Sequence, residues 1–225
     1  MSKIKNLFKN KTIKNANWMV AEQLVQMLIN VILGVLTARY LGKTNYGVIN
    51  ETAAYVIFFS NLVTLGLEAV SIKEMVNNRD EDSTVVGTGI GLRLMAGTLS
   101  TCIVFALLFI LKDGNPLVLK VGFLQSLVMI FKAFELIDYW FQSKLQSKYV
   151  AILKSISYVL VAAYKFFIIF AGKSVVWFAF STSLDFLLIA VMIVIAYFAK
   201  GGRRLRFSWN MAKKLISQGY PFMIY

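Results

Sequence analysis

The sequence predicts an all-α integral membrane protein, a bundle of six transmembrane helices with its N-terminus in the cytoplasm. Three observations support this prediction. Hydrophobic residues make up 58% of the chain and charged residues 16%, against about 45–50% and about 25% in soluble domains. The apolar residues are gathered in six runs of about 20 residues, the length that crosses a bilayer. The basic residues are concentrated in alternate connections between these runs, which is the pattern that sets membrane orientation.

The six runs divide the chain into segments. The predicted spans are residues 16–38, 46–68, 87–111, 117–140, 150–171 and 175–199. Residues 1–15 are expected to form a basic cytoplasmic N-terminus, 16–199 the six-span unit, and 200–214 a basic cytoplasmic linker. Another apolar stretch begins at residue 215, so 215–225 is predicted to start a seventh span. We therefore expect the sequence to be the first part of a longer protein.

The orientation follows from the lysines and arginines between the spans. With the N-terminus inside, the cytoplasmic segments carry 15 of the 24 basic residues and the outer connections carry four. Cytoplasmic loops of membrane proteins show such an excess. The net charge of +13 is then explained by topology and by attraction to anionic membrane lipid. Nucleic acid is not an expected partner.

The scarcity of cysteine and histidine excludes several kinds of site. Cys102 is the single cysteine and the chain has no histidine. An intramolecular disulfide, an imidazole zinc site and a histidine-activated nucleophile are therefore excluded within this chain. The outer connections are also short, whereas an enzyme that acts on an outer substrate usually needs a larger loop for its catalytic groups. We therefore expect a protein without enzymatic activity and without a cofactor.

Polar residues of the first two spans fall on one face of each helix. Five of them lie within a wedge of roughly 100° on the first span: Glu22, Gln23, Gln26, Asn30 and Thr37. Asn61 lies nearest to mid-depth on the second span. Such a stripe either faces a water-filled cavity or forms hydrogen bonds between helices. Its length favours the cavity.

Ionisable residues in the other spans are functional candidates, because charge at membrane depth is costly. Lys132 and Glu135 are three residues apart on the fourth span and can pair on one face. Lys165 lies on the fifth span. Asp185 lies about 15 Å into the sixth span, near the midplane, where it must be paired, protonated or in contact with water, as an ion-coupling carboxylate would be. Arg93 on the third span is shallower, and we expect it to snorkel to the headgroups.

Two motifs resemble those of a known family. The first connection resembles the AR-x-LG-x-x-x-YG stretch of polysaccharide flippases, and here it reads Ala38-Arg39-Tyr40-Leu41-Gly42-Lys43-Thr44-Asn45-Tyr46-Gly47. The segment after the fourth span resembles a W-x-F-Q…K-Y pattern of the same family, with Trp140-Phe141-Gln142 followed by Lys148-Tyr149. These proteins are the O-antigen and capsule-repeat flippases (Wzx-type) of the multidrug/oligosaccharidyl-lipid/polysaccharide superfamily.

The resemblance implies a carrier of two six-helix lobes around a central cavity, with this chain as the first lobe. The substrate would be an undecaprenyl-pyrophosphate-linked oligosaccharide. It would be turned from the inner to the outer leaflet of a bacterial plasma membrane by alternating access, for surface polysaccharide synthesis. Membrane lipids and other polysaccharide-assembly proteins are the further expected partners.

Two alternatives to the flippase stay open. A drug/cation antiporter of the same superfamily would share the fold but favour a pocket dominated by carboxylates. A membrane glycosyltransferase or sugar-repeat polymerase would need a catalytic outer loop or a pair of carboxylates. Lys132 and Lys165 favour an anionic substrate, and the short outer connections argue against an enzyme.

Overall fold

The computed structural model describes the backbone of residues 2–220 and the side chains of residues 13 and 15–220. These residues form eight α-helices and no β-strand. The helices are α1 (Ser2–Val63), α2 (Leu67–Asn77), α3 (Asp82–Leu111), α4 (Pro116–Phe131), α5 (Glu135–Ser143), α6 (Ser147–Phe170), α7 (Val175–Ala199) and α8 (Trp209–Gly219). The N-terminal lysine side chains and residues 221–225 of the predicted seventh span lie outside the described residues.

Five helical stretches are long and apolar enough to cross a membrane, which confirms the predicted all-α membrane fold. The first of these stretches holds two passes, because α1 consists of two arms that meet at Gly42. Gly42 has φ 72° and ψ 174°, a left-handed conformation that suits a residue without Cβ. The arms are residues 15–41 and 43–63.

Contacts at both ends show that the chain reverses at Gly42. The first arm runs beside α6: the Asn15 amide donates to Ser147 at the start of α6, and the Tyr40 hydroxyl donates to the Lys173 carbonyl beyond its end. The second arm runs back along α3. Glu51 forms an ion pair with Lys112 past the end of α3, and residue 64 contacts the first half of α3.

The remaining helices pack as antiparallel neighbours, α3 with α4 and α6 with α7. The chain therefore makes six passes within the described residues. We call the end of the bundle that holds residues 77–82, 143–147 and 200–208 the basic end, because its connections carry arginines and lysines. The turns at residues 42, 112–115 and 171–174 lie at the opposite end.

Two passes are interrupted at a similar level. The second pass breaks after Val63, where Leu65 and Gly66 have φ of 54° and 59°, and it continues as α2 toward the basic end. The fourth pass consists of α4 and α5, joined by a 3₁₀ turn at Lys132–Phe134. The predicted fourth span thus corresponds to a pair of shorter helices, and the predicted second span covers the second arm and the break and ends at the second residue of α2.

The other helix bounds differ from the predicted spans by a few residues. The sixth span coincides with α7, whereas α3 begins at Asp82, five residues before the predicted start of the third span. Helix α8 begins at Trp209 and packs against α2 and α3 at the basic end. It therefore crosses residue 215, where we expected the linker to give way to the seventh span.

Close approach and hydrogen bonds hold the passes together. A Cβ on Gly97 would lie 2.5 Å from the carbonyl oxygen of Met129, so glycine is required where α3 meets α4. Nearby, the Thr101 hydroxyl donates to the Ser126 carbonyl at 3.2 Å. Such contacts matter in a bilayer because lipid tails are as apolar as the helix surfaces, which weakens the hydrophobic drive between helices.

The largest apolar core lies at the basic end, between α2, α3, α5, α7 and α8. Trp140 is 1% exposed, and its ring centroid lies 5.0 Å from that of Phe141 and 4.8 Å from that of Tyr197. The indole N–H donates to Asp82 at 2.8 Å, so its polar atom has a partner, as a buried tryptophan requires. Leu215 of α8 is fully buried in the same core.

Candidate functional site

A polar cavity opens between the two arms of α1 and over α7. It consists of three adjoining hollows of about 220, 250 and 180 Å³. Phe186 of α7 lines all three, and Lys132, Gln26 and Asp185 each line two of them. All nine residues predicted for substrate binding or ion coupling line this cavity: Glu22, Gln23, Gln26, Asn30, Asn61, Lys132, Glu135, Lys165 and Asp185.

The first arm of α1 supplies one wall. Glu22 is 8% exposed and accepts a hydrogen bond from the Tyr158 hydroxyl of α6 at 2.9 Å. Gln23 and Asn30 are exposed and Gln26 is half-buried. Among the described residues, no side chain or backbone group hydrogen-bonds to these three amides. They are therefore available to a ligand, which favours the cavity over hydrogen bonds between helices.

The centre of the cavity combines an acidic and two basic groups. Asp185 is half-buried and accepts a hydrogen bond from the Ser157 hydroxyl at 2.6 Å. Lys165 lines the same hollow. The Lys132 ammonium lies 6.0 Å from the Phe186 ring centroid. Within the described part of the chain, none of the three ionisable groups has an opposite charge within 4 Å.

Arg93 does not snorkel, contrary to our expectation. Its side chain is 1% exposed, and Nη1 lies 3.2 Å from Oε2 of Glu135. Nε and Nη2 donate to the Thr64 carbonyl at 3.3 and 3.1 Å, and Nη2 also donates to the Tyr139 hydroxyl at 3.2 Å. Because α3 begins five residues earlier than predicted, Arg93 lies about 16 Å along its helix and not about 9 Å. That depth is too great for the guanidinium to reach the headgroups along the helix.

The Arg93 guanidinium joins the two interrupted passes. Thr64 lies in the break between α1 and α2, and Glu135 is the first residue of α5 after the 3₁₀ turn. A buried carbonyl without a partner is costly, and a guanidinium offers five donors. The pair therefore stabilises both breaks. It also means that Glu135 is paired with Arg93, and within the described residues it forms no ion pair with Lys132, which the spacing would have allowed.

A second ion pair lines the cavity near the basic end. Asp138 accepts hydrogen bonds from the Lys154 ammonium at 2.8 Å and from the Gln142 amide at 3.2 Å. The sequence does not predict this pair, because a contact between α5 and α6 has no signature along the chain. The one signal available is that the two helices carry charges of opposite sign.

The two ion pairs leave a balanced set of charges in the cavity. Glu135 and Asp138 are neutralised by their partners. The remaining charged groups are the carboxyls of Glu22 and Asp185 and the ammoniums of Lys132 and Lys165. Sequence reasoning also missed the Phe186 ring, because phenylalanine is ordinary in apolar spans.

The motif residues lie mostly outside the cavity. Gly42 forms the turn at the opposite end, near Arg39, Tyr46 and Gly47. A Cβ on Gly47 would meet nothing within 4 Å, so packing does not require glycine there. Trp140 and Phe141 are core residues at the basic end, and Gln142 reaches the cavity only through Asp138. Their positions indicate a role in shaping the bundle.

Comparison with known protein families gives a match that covers most of the chain. A family model described as "Polysaccharide biosynthesis protein" matches residues 12–225. The matched range includes all six passes, both motifs and every residue that lines the cavity. No curated protein and no solved structure gives a significant match.

Proposed function

Because the chain belongs to the polysaccharide biosynthesis protein family, we propose that it forms the first lobe of a flippase for lipid-linked oligosaccharides. The flippase moves an undecaprenyl-pyrophosphate-linked repeat unit from the inner to the outer leaflet of a bacterial plasma membrane. The repeat unit then enters a surface polysaccharide such as O-antigen or capsule. The observation that carries this proposal is the polar cavity, which lies among helices of membrane-spanning length.

The chemistry of the cavity suits a sugar joined to a diphosphate. Sugar hydroxyls donate and accept hydrogen bonds, as do the side-chain amides of Gln26, Asn30 and Asn61. Lys132 and Lys165 supply positive charge for the two phosphates. The outer faces of the helices are apolar, so the undecaprenyl chain can remain in the bilayer beside them. In this scheme the polar part crosses through the cavity while the chain stays in the membrane.

The Asp185 carboxyl gives the cavity a means of coupling to protons. When it is ionised, Asp185 and Glu22 together balance Lys132 and Lys165, and the cavity carries no net charge. When it is protonated, the two lysines exceed the remaining carboxylate by one charge and attract a diphosphate. Proton uptake on one side of the membrane and release on the other would then favour binding on the first side and release on the second. A facing second lobe would provide the alternation.

The alternatives gain no specific support from the structure. An antiporter for cations would need carboxylates that outnumber the basic groups, and here the unpaired charges balance. A glycosyltransferase or polymerase would need catalytic groups at the opposite end, where the turns are short within the described residues. The proposed activity is transport without bond cleavage and requires no cofactor.

The role of Lys132 is tested by export of surface polysaccharide in cells that lack their own copy of the protein. We expect Lys132→Ala to reduce export about 10- to 100-fold, since a hydrogen bond to a charged group contributes about 1.5–3 kcal/mol. Lys132→Arg should keep most of the export. The matched control is Lys120→Ala, an exposed lysine of the same pass that lies outside the cavity. Equal export by the two Lys132 variants would count against contact with the diphosphate.

The fate of the lipid-linked repeat separates the three functions. A lost flippase leaves the completed repeat unit in the inner leaflet, a lost glycosyltransferase prevents its completion, and a lost polymerase delivers single repeats to the surface. The coupling role is tested by Asp185→Asn, which should abolish transport but not membrane insertion. The control is Asp80→Asn at an exposed site. Full transport by Asp185→Asn would exclude Asp185 as the coupling group.

A further inference from the structure

A second hollow lies at the basic end, apart from the polar cavity. It has a volume of about 730 Å³ and lies between the start of the first arm, the end of α2 and the turn that joins α5 to α6. Its lining contains three basic and two aromatic residues, which we call the basic pocket: Arg79, Lys144, Lys148, Trp18 and Tyr149.

The charge of the basic pocket is not neutralised by its own acidic residue. Asp82 lies 3.1 Å from the Lys144 ammonium and accepts the Trp140 indole N–H. This carboxylate is therefore matched by Lys144. Arg79 and Lys148 are exposed and have no acidic partner within 4 Å among the described residues. Two cations thus face a hollow that is large enough for a phosphate group.

An apolar groove adjoins the basic pocket. It has a volume of about 460 Å³ and runs between the first arm and α6, with exposed Val25 and Val159 among its walls. Trp18 lines both the groove and the basic pocket. Glu22 also borders the groove, but its carboxylate is buried against the Tyr158 hydroxyl. Among the described residues, Glu22 alone lines both the groove and the polar cavity.

We propose that the basic pocket and the groove together bind one anionic phospholipid of the leaflet at the basic end. The phosphate lies at Arg79 and Lys148, and one acyl chain lies in the groove. Basic pockets between transmembrane helices bind anionic lipid headgroups. Trp18 marks the junction, and tryptophan is enriched where headgroups meet acyl chains. The site is independent of the proposed transport function.

Two arguments favour a phospholipid over the lipid-linked oligosaccharide at this site. Phospholipids are in large excess in the membrane, and occupancy follows concentration. The basic pocket and the groove also share only Glu22 with the lining of the polar cavity among the described residues, so a molecule held here lies beside the cavity and not within it.

The test uses tryptophan quenching by lipids that carry bromine on their acyl chains. The intact protein is placed in phosphatidylcholine vesicles that contain a small fraction of brominated phosphatidylglycerol or, in parallel, brominated phosphatidylcholine. A Trp18→Phe variant isolates the signal of Trp18. We expect brominated phosphatidylglycerol to quench Trp18 more strongly than the same fraction of brominated phosphatidylcholine.

Charge variants then locate the headgroup. Arg79→Gln and Lys148→Gln should each lower the preference for phosphatidylglycerol about fivefold, and Lys148→Arg should keep it. The matched control is Arg204→Gln, an exposed arginine at the basic end outside the pocket. Equal quenching of Trp18 by the two brominated lipids, taken as the difference between the unmodified protein and Trp18→Phe, overturns the proposal. Displacement of phosphatidylglycerol by an equal fraction of undecaprenyl diphosphate overturns it in favour of a substrate-docking site.

Discussion

Methionine has a side chain of similar length to arginine but no charge. Replacement of Arg93 by methionine therefore leaves the Glu135 carboxylate without its partner. Loss of one member of a buried ion pair costs about 3–5 kcal/mol. Arg93 is 1% exposed but Glu135 is 27% exposed, so water partly solvates the remaining charge, and the lower value, about 3 kcal/mol, applies. The Thr64 carbonyl also loses its donors. For a chain of this size about 1 kcal/mol corresponds to a shift of roughly 2–4 °C in Tm, so Arg93→Met should lower Tm by roughly 6–12 °C.

A second variant separates the charge from the backbone contact. Arg93→Met combined with Glu135→Gln removes both charges, and we expect it to regain most of the lost stability. A deficit of about 1 kcal/mol should remain for the unsatisfied carbonyl. The assay is thermal unfolding of the intact protein in detergent, with Arg204→Gln as the exposed control. A Tm of Arg93→Met within 2 °C of the unmodified protein would refute the idea that Arg93 stabilises the two interrupted passes. A double variant less stable than Arg93→Met alone would refute it as well.

Two further predictions concern the cavity and the helix contacts. On a Cys102→Ser background, cysteine at Asn30 should react with a water-soluble thiol reagent and cysteine at Leu28 should not, since Leu28 faces lipid; equal protection of both would contradict a wet cavity. Gly97→Val should destabilise the protein by about 1–3 kcal/mol through overpacking against the facing helix, measured as a lower Tm. Gly34→Val is the control, because a Cβ there meets nothing within 4 Å; the same Tm loss in both would show that packing is not the cause.

The sequence predicts the passes well because the bilayer imposes their length. The sixth span matches α7 at both ends, because polar residues and glycine directly flank its apolar run. The first two spans are separated correctly by the glycine-containing connection around Gly42. The polar face of the first arm is likewise predicted, since helical periodicity alone places Glu22, Gln26 and Asn30 on one side.

Contacts between helices are not predictable in the same way. Arg93 and Glu135 are 42 residues apart, and no local pattern joins them. The breaks at residues 64–66 and 132–134 also have a weak signature, because neither contains proline and the second contains no glycine. The nearby Lys132 looked like the better partner for Glu135 by spacing. Glu135 pairs with Arg93 because the Arg93 guanidinium is buried away from water and would be costly without a counter-charge. The Lys132 ammonium can instead remain hydrated in the cavity.

The tight turn at Gly42 also constrains how the chain enters the membrane during its synthesis. The first arm carries Glu22, and a charged residue within a spanning helix raises the cost of insertion, by up to about 2.5–3.5 kcal/mol at the helix centre. The hydrogen-bond partner of Glu22, Tyr158, is translated 136 residues later. Because the two arms meet at a single non-helical residue, we expect them to insert as one helical hairpin, in which the apolar second arm offsets the cost of the first. The first pass would then reach its final environment only after the fifth has been made.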